Sequence, residues 1–309
     1  MKISFVVIAY NEAHNLERCL LSVTEQDGLA EYEVVIVNDG SSDATRLVAE
    51  QFISRFPQAM LINHERNLGR GAARHTGALA ARGDMLAYID GDNLIPPNWL
   101  SICLEYMNDF DAVGGLAIPD GDATYIYSRL SLRPRLVPPS TVVTGANGLY
   151  RRRVFDSVTF DLSLRGGEDV AMNHAMELAG FRTKLIPGLI TEHIENKTYA
   201  KSISWLYESG RGASRQLRRY KKIRRPDIAF FVFFITMLIS LLEFARKGNL
   251  TSLIWPFVVL GGTSTVHVLQ KFHIHLKDVP GAICAVAIDC SLLAAYYIGR
   301  LANWRGRGA

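Results

Sequence analysis

MLAYIDGDNL, Met85 to Leu94, runs from an apolar segment into two carboxylates held either side of a glycine. An apolar run of this length reads as a strand buried on both faces, so the acids fall at its carboxyl end. Asp90-Gly91-Asp92 is then either an acidic turn or a clamp for a cation. The same form occurs three times upstream. ISFVVIA, YEVVIVN and AMLIN are apolar or β-branched runs, each followed by a polar cluster. Helical patterns lie between them, in EAHNLERCLLSVTEQ, DATRLVAEQFISRF and GAARHTGALAARG, with Asp43 the clearest start signal. The alternation, from Lys2 to about Leu116, predicts an α/β fold with a mostly parallel sheet flanked by helices.

Beyond Leu116 the rhythm breaks. Asp120 to Ser140 is rich in Pro, Arg and Tyr and is expected to form an irregular excursion over the sheet. VVTGANGLYRRRVF, FRTKLIPG and LITEHIEN read as strands around a helix in GGEDVAMNHAMELAG. An amphipathic helix is predicted over about Tyr199 to Lys222.

Composition shifts toward the C-terminus. The chain of 309 residues is 49% apolar, and its mean hydropathy of +0.09 is high for a wholly soluble protein. The excess lies after Pro226, in about Ile228–Ala245, Leu253–Leu269 and Pro280–Ile298. The first would be about 27 Å long as a helix, close to a bilayer's roughly 30 Å core. The third carries Asp289, which costs roughly 2.5–3.5 kcal/mol at the centre of a spanning helix. Two or three spans are expected; buried core helices are the other reading.

The net charge of +4 does not point to nucleic acid. Many of the cations crowd into RQLRRYKKIRR, Arg215 to Arg225, directly before the apolar region. That cluster reads as a cytoplasmic flank against anionic lipid, or as a solvated helix. Cys19, Cys103, Cys284 and Cys290 show no metal spacing, which suits a reducing cytosol. MKISFVVIAYNE has too short an apolar run for a signal peptide and reads as a first buried strand.

In an open parallel sheet, ligands bind beyond the carboxyl ends of the strands. AYNE, NDGSSD (Asn38 to Asp43), NHERNLGRGAAR (Asn63 to Arg74) and DGD occupy four successive strand ends, so they are expected on one edge. The set suits a nucleoside diphosphate. Asp39 can accept hydrogen bonds from a base or ribose, and Arg66, Arg70 and Arg74 can offset phosphate charge. A turn at Asp39-Gly40 and surface helix arginines are the plainer alternatives. In extended backbone Asp90 and Asp92 project to the same side. Without a cation their charges repel and raise a pKa. Mg²⁺ or Mn²⁺ takes such oxygen ligands, completed by substrate phosphates. A dinucleotide-dependent dehydrogenase is disfavoured, because AYNEAHN, not a glycine-rich phosphate loop, follows the first strand.

VVIAYNE, VNDGSSD, NLGRGAARHTG, DGD and GGED together resemble glycosyltransferase family 2, inverting enzymes of the GT-A fold, over about Ile3 to Tyr220. The resemblance implies sugar transfer from a nucleoside diphosphate sugar with inversion at the anomeric carbon. It makes Ala9, Tyr10, Glu12 and Asp39 nucleoside-binding positions. Arg74 matches a donor-side basic residue, although His75 stands where asparagine is commoner. Asp90 and Asp92 match the metal motif, with Asp92 the leading direct ligand of Mn²⁺ or Mg²⁺. Asp169 is implied as the base that deprotonates the acceptor hydroxyl, beside Glu168 as orienter or cap. His193 is either a further metal or phosphate ligand or a structural histidine. Gln216, Arg219 and Tyr220 resemble the Gln-x-x-Arg-Trp signature of membrane-bound processive synthases, with tyrosine for tryptophan; a plain basic flank is the alternative.

The expectation is a catalytic domain over 1–225, closing with a basic membrane-proximal helix at about 199–225, and a membrane region over 226–309. The domain would lie in the cytosol at the inner (cytoplasmic) membrane. It would use a UDP- or GDP-sugar donor, a lipid-linked or saccharide acceptor and membrane lipid, and no nucleic acid. A polyprenyl-phosphate glycosyltransferase and a non-catalytic nucleotide-sugar-binding membrane protein are the alternatives.

Overall fold

The computed structural model describes residues 1–28, 31–119, 133–134, 142–162, 164, 166–194, 199–221, 223, 225–273 and 278–302. Almost all of the predicted Asp120–Ser140 excursion lies outside the described residues. The chain divides into two units, one of 1–123 with 138–195 and one of 124–137 with 196–309.

The first unit is built on one sheet. Its elements are β1 (Ile3–Ala9), α1 (Leu16–Thr24), β2 (Tyr32–Asn38), α2 (Thr45–Arg55), β3 (Ala59–Asn63), α3 (Arg70–Ala80), β4 (Met85–Asp90), β5 (Asn93–Leu94), α4 (Trp99–Tyr106) and β6 (Ala112–Pro119). After β7 (Arg133–Pro134), which belongs to the other unit, come β8 (Asn147–Arg151), α5 (Glu168–Leu178) and β9 (Thr183–His193). The strand order is β3-β2-β1-β4-β8-β6-β9-β5. β1 to β4 are mutually parallel, as is the β6–β9 pair, while β8 and β5 run antiparallel to their neighbours.

The period of two sorts the core into two layers. Phe5, Val7 and Ala9 of β1, with Ala87 and Ile89 of β4, pack against Leu20 of α1, Phe52 of α2 and Trp99 of α4. Val6 and Ile8, with Leu86 and Tyr88, face the opposite way onto Ala73 of α3, Phe160, and Met172 and Met176 of α5. Both faces are covered, which is why these strands read as unbroken apolar runs. Each large side chain so buried contributes about 1.5–3 kcal/mol.

Two expectations change. The runs FRTKLIPG and LITEHIEN are one strand, β9, and the irregularity sits across from Gly114 to Leu116 of β6, where the register shifts. α1 begins only at Leu16, after Asn11 has turned the chain with a left-handed φ of 58°.

The second unit holds α6 (Tyr199–Tyr220), α7 (Arg225–Lys247), α8 (Trp255–Lys271), β10 (Phe272–His273) and α9 (Val279–Ala302), with β10 antiparallel to β7. α6, grouped from sequence with residues 1–225, clusters in this unit. Three helical segments, Asp227–Lys247, Leu250–Gln270 and Val279–Ala302, are long and apolar enough to cross a membrane. α7 leaves Val232, Ile235, Leu238, Ile239, Leu241 and Leu242 exposed, an apolar surface that a bilayer would cover.

Candidate active site at the carboxyl edge of the sheet

The parallel register aligns the ends of the strands. Ala9 pairs with Asn38, Asn38 with Asn63, and Ile8 with Asp90. The strand order reverses at β1, between β2 and β4, where α/β sheets open a ligand crevice. The four polar clusters therefore share one edge, as the sequence predicts.

The loops after β1 and β2 are stitched together. The Asn11 N–H donates to Ser41 Oγ at 2.9 Å, the Ser42 N–H to Asn11 Oδ1 at 2.8 Å, and the Glu12 N–H to Thr45 Oγ1 at 2.8 Å. Asp39, buried just past β2, donates its N–H to Ala9 O at 2.9 Å. Its carboxylate accepts the N–H groups of Leu68 and Gly69, each at 2.9 Å, and lies 2.7 Å from His64 Nδ1. Asp39 thus shapes the loop leading to α3 and still keeps acceptor capacity on Oδ2. Tyr10 and Arg66 are exposed on the same edge.

Arg74 is the hub. It is fully buried on α3; Nη2 donates to Asp90 Oδ1 at 2.6 Å and Nη1 to Glu168 Oε1. Arg70 Nε lies 3.5 Å from the same Glu168 oxygen. The guanidinium sits over Phe160, and a Cβ on Gly145 would stand 2.4 Å from its Cζ, so glycine there makes room for the cation. Charges this buried persist only when paired. Burial pushes Glu168 upward, but Arg70 and Arg74 outweigh it and hold the carboxyl below its usual range. Asp90 is raised by burial and by Asp92, against the pull of Arg74.

The DGD motif is not the extended pair expected. β4 ends at Asp90, and Gly91 and Asp92 form a turn, with the Gly91 N–H bonded to Ile8 O at 2.8 Å. The two carboxylates take different partners. Asp90 goes to Arg74, whereas Asp92 Oδ2 lies 3.0 Å from His193 Nε2. Strand pairing places that histidine, because Asn93 of β5 opposes His193 at the end of β9. Glu12 completes an acidic group; burial and then Asp92 push its pKa up to about 7. Among the described residues, no three His, Cys, Asp or Glu side chains close into a full metal site. One carboxylate and one imidazole would leave the other positions to phosphate and water; the oxygen ligands fit Mn²⁺ or Mg²⁺, and the imidazole favours Mn²⁺ over the harder Mg²⁺.

Glu168 and Asp169 open α5 behind Gly167, whose φ is 74°. Burial, then the neighbouring Glu168, raise the Asp169 pKa, with Arg74 opposing. Asn173, one turn on, was not singled out from sequence. Its amide accepts the Val143 N–H at 3.0 Å and donates to Val143 O and Asp169 O at 2.8 and 2.9 Å. It ties the start of α5 to the loop before Gly145. His64 and Asn147 were passed over too; Asn147 bonds the Gly115 N–H and Thr191. A lone buried amide leaves no periodic signal in sequence. Gln216, Arg219 and Tyr220 lie on α6 in the second unit, with Gln216 buried and the Arg219 guanidinium 5.7 Å from the Tyr220 ring.

A family model described as glycosyl transferase family 2 matches residues 4–159, just over half of the chain. This chain belongs to glycosyl transferase family 2. Among curated relatives, the succinoglycan biosynthesis protein ExoO of Rhizobium meliloti is 31% identical over 208 residues, covering 60% of this chain and 58% of ExoO. The chain spans about half the length of the curated relatives it matches. Among solved structures, the mannosyltransferase PcManGT from Pyrobaculum calidifontis, in complex with GDP-Man and Mn²⁺, superposes with a TM-score of 0.63. That match has 16% identity and covers 99% of this chain and 88% of PcManGT. S. aureus TarS 1–349 in complex with UDP-GlcNAc gives a TM-score of 0.54 at 18% identity, covering 99% and 92%. At these identities the likeness is one of fold, and the fold is GT-A.

Proposed function

We propose that this chain is a membrane-anchored, inverting glycosyltransferase. It moves a sugar from a UDP- or GDP-sugar to a hydroxyl of a lipid-linked or saccharide acceptor. The catalytic domain, residues 1–225, lies on the cytosolic face of the cytoplasmic membrane, and residues 226–309 anchor it. The observation that carries the reading is the buried Arg74 bridge. It ties Asp90, at the donor edge, to Glu168, next to Asp169.

Asp169 is the base. A carboxyl raised by burial holds a proton more firmly, which suits it to accept one from the acceptor hydroxyl. The freed oxygen attacks the anomeric carbon from the face opposite the diphosphate. The glycosidic C–O bond to the diphosphate breaks, and its electron pair leaves with the nucleotide. Asp39 and the loop it shapes receive the nucleoside, with Ala9, Tyr10 and Glu12 alongside. Asp92 and His193 would hold Mn²⁺ or Mg²⁺, supplying Lewis-acid charge to the leaving diphosphate. Glu168 and Arg74 keep Asp90 and Asp169 in register.

The test is a panel of nucleotide sugars with Mn²⁺ or Mg²⁺ and membrane lipid extract, reading released nucleotide and glycosylated product. The reading expects one donor to turn over, and Asp169→Asn to abolish transfer to a hydroxyl while nucleotide binding survives. A phosphate acceptor needs little base help, so transfer to a polyprenyl phosphate that survives Asp169→Asn would replace the hydroxyl acceptor. No turnover of any donor would sink the enzyme reading.

A further inference from the structure

Length and composition allow each of the three apolar helices to cross a bilayer, but contacts within the second unit fix which ends share a face. α7 and α8 form a hairpin. Ser252 Oγ, in the short turn Leu250–Ile254, donates to Asn249 O at 2.7 Å and lies 3.2 Å from Ser240 O, so the turn sends the chain back along α7. From Ser240 back to Asp227 is about 20 Å of helix, and α8 runs about 24 Å from Trp255 to Lys271. α8 therefore returns to the level where α7 begins. A second marker agrees. Phe272 and His273, directly after α8, pair with Pro134 and Arg133. Those two residues precede every candidate crossing helix among the described residues, so they lie on the face from which α7 sets out.

α9 thus starts on that face, and its far end comes back to it. Arg300 Nη1 donates to Asp227 Oδ1 at 2.5 Å, both side chains wholly buried, in the first turn of α7. The Tyr297 ring lies 5.5 Å from that of Phe230 and 5.0 Å from that of Phe233, one turn further along. Midway, Asp289 Oδ2 is 3.3 Å from His267 Nδ1 near the end of α8. A helix whose start, middle and end all meet one face of a two-helix hairpin does not cross with it.

We propose that only α7 and α8 cross, and that α9 lies along the membrane boundary on the face from which α7 sets out, paired with α6. This arrangement rests on the membrane-anchor reading above. α6 and α9 run the same way, Tyr199 donating to Ser291 Oγ at 2.5 Å and Ser214 to Arg300 O at 2.9 Å. Their backbones touch, since a Cβ on Gly210 would fall 2.0 Å from Tyr296 O and one on Gly299 2.0 Å from Tyr207 O. The charges agree with the position. Asp289 and Arg300 are costly in hydrocarbon and far less so at the boundary. α6 brings Arg211, Arg215, Arg218 and Arg219 to anionic headgroups, while α9 leaves Ile283 and Ile298 exposed for acyl chains.

Single reporter cysteines decide it. In full-length chain carrying Cys284→Ser and Cys290→Ser, with the buried Cys19 and Cys103 left in place, Ile223→Cys, Lys247→Cys and Ala302→Cys are made separately. Each is exposed to a membrane-impermeant maleimide in sealed vesicles of both orientations. The expected result is labelling of Ile223→Cys and Ala302→Cys from one face and of Lys247→Cys from the other. Ala302→Cys labelling together with Lys247→Cys, opposite Ile223→Cys, would overturn this arrangement and leave the anchor standing. Recovery of the chain wholly in the soluble fraction would overturn both. Protease protection of a tag fused after Ala309, on otherwise unaltered chain, gives the same parity without internal substitutions.

Discussion

Replacing Arg74 by methionine removes the cation that touches both Asp90 and Glu168 and keeps much of its volume. Glu168 is 2% exposed, so water cannot take over from the lost guanidinium. Removing one partner of a buried ion pair costs about 3–5 kcal/mol, because the other charge stays behind. Arg70, 3.5 Å from Glu168 and partly exposed, offsets only part of this. The pH dependence follows from the sign of the shift. The folded pKa of Glu168 is depressed, with burial opposing and Arg70 and Arg74 prevailing. Its contribution is therefore full above the unfolded value near 4.5 and is lost as pH falls through the folded value. The Arg74→Met penalty should be largest at neutral pH and shrink toward pH 4, where Glu168 can protonate. Adding Glu168→Gln should recover about 1–3 kcal/mol, so that the double variant loses less than the sum of the singles. Urea titration in detergent micelles at pH 4 and pH 7.5, compared at constant m-value, reads all four corners of the cycle. A penalty equal at both pH values, or an additive double variant, would refute the bridge.

Glu12 runs the other way: its folded pKa is raised to about 7, by burial first and Asp92 next, so ionising it costs stability as pH rises through the window from 4.5 to 7. Glu12→Gln should gain about 1–3 kcal/mol over the parent at pH 8 and nothing at pH 4, read from thermal midpoints; a pH-independent difference would count against the acidic cluster. Asn173→Ala leaves the buried Val143 N–H and C=O without their amide partner, at about 1–3 kcal/mol for each unsatisfied group. Hydrogen exchange at Val143 should speed up while the β1 and β4 amides stay protected; unchanged protection at Val143 would show that this tie carries no weight.

What could be read from sequence was whatever repeats locally. The parallel half of the sheet is legible because β1, β2 and β4 are buried on both faces and the edge strand β3 is still apolar and partly covered, and an apolar run needs no knowledge of its partner. The polar clusters are legible for the same reason, since each follows its strand directly. The antiparallel half is not. β8 joins β4 to β6 across tens of residues, and nothing inside NGLYR names those partners. β9 was split at Pro187 and Gly188, where a breaker pair usually ends a strand; instead the irregularity is absorbed opposite Gly114 to Leu116. The projection of Asp90 and Asp92 to one side failed because the strand stops at Asp90, and a turn residue keeps no period. His193 was visible only through a family resemblance. Its neighbour Asp92 lies 101 positions away and is reached through the β5–β9 pairing.

The carboxylates of the edge fall into two groups, and the division bears on where a diphosphate can be held. Asp90 and Glu168 are answered by Arg74, which has given one Nη to each and presents its Nε toward Gly145. Arg74 is therefore a strut between donor and acceptor sides on the proposed reading, not a hand reaching for phosphate. Asp92 and Glu12 have His193 beside them instead, and the pKa of Glu12 is raised by burial first and by the charge of Asp92 next. A diphosphate entering beside them adds more negative charge. It binds well only if a cation comes with it, at Asp92 and His193, or if the exposed Arg66 and the partly exposed Arg70 swing toward it. The two routes differ in what salt and chelator do. Arginine contacts weaken steadily with ionic strength, whereas a cation site is lost outright to a chelator at constant salt. Nucleotide affinity that collapses on chelation and returns with Mn²⁺, and that shows no such collapse in Asp92→Asn, places the charge balance on the Asp92–His193 pair.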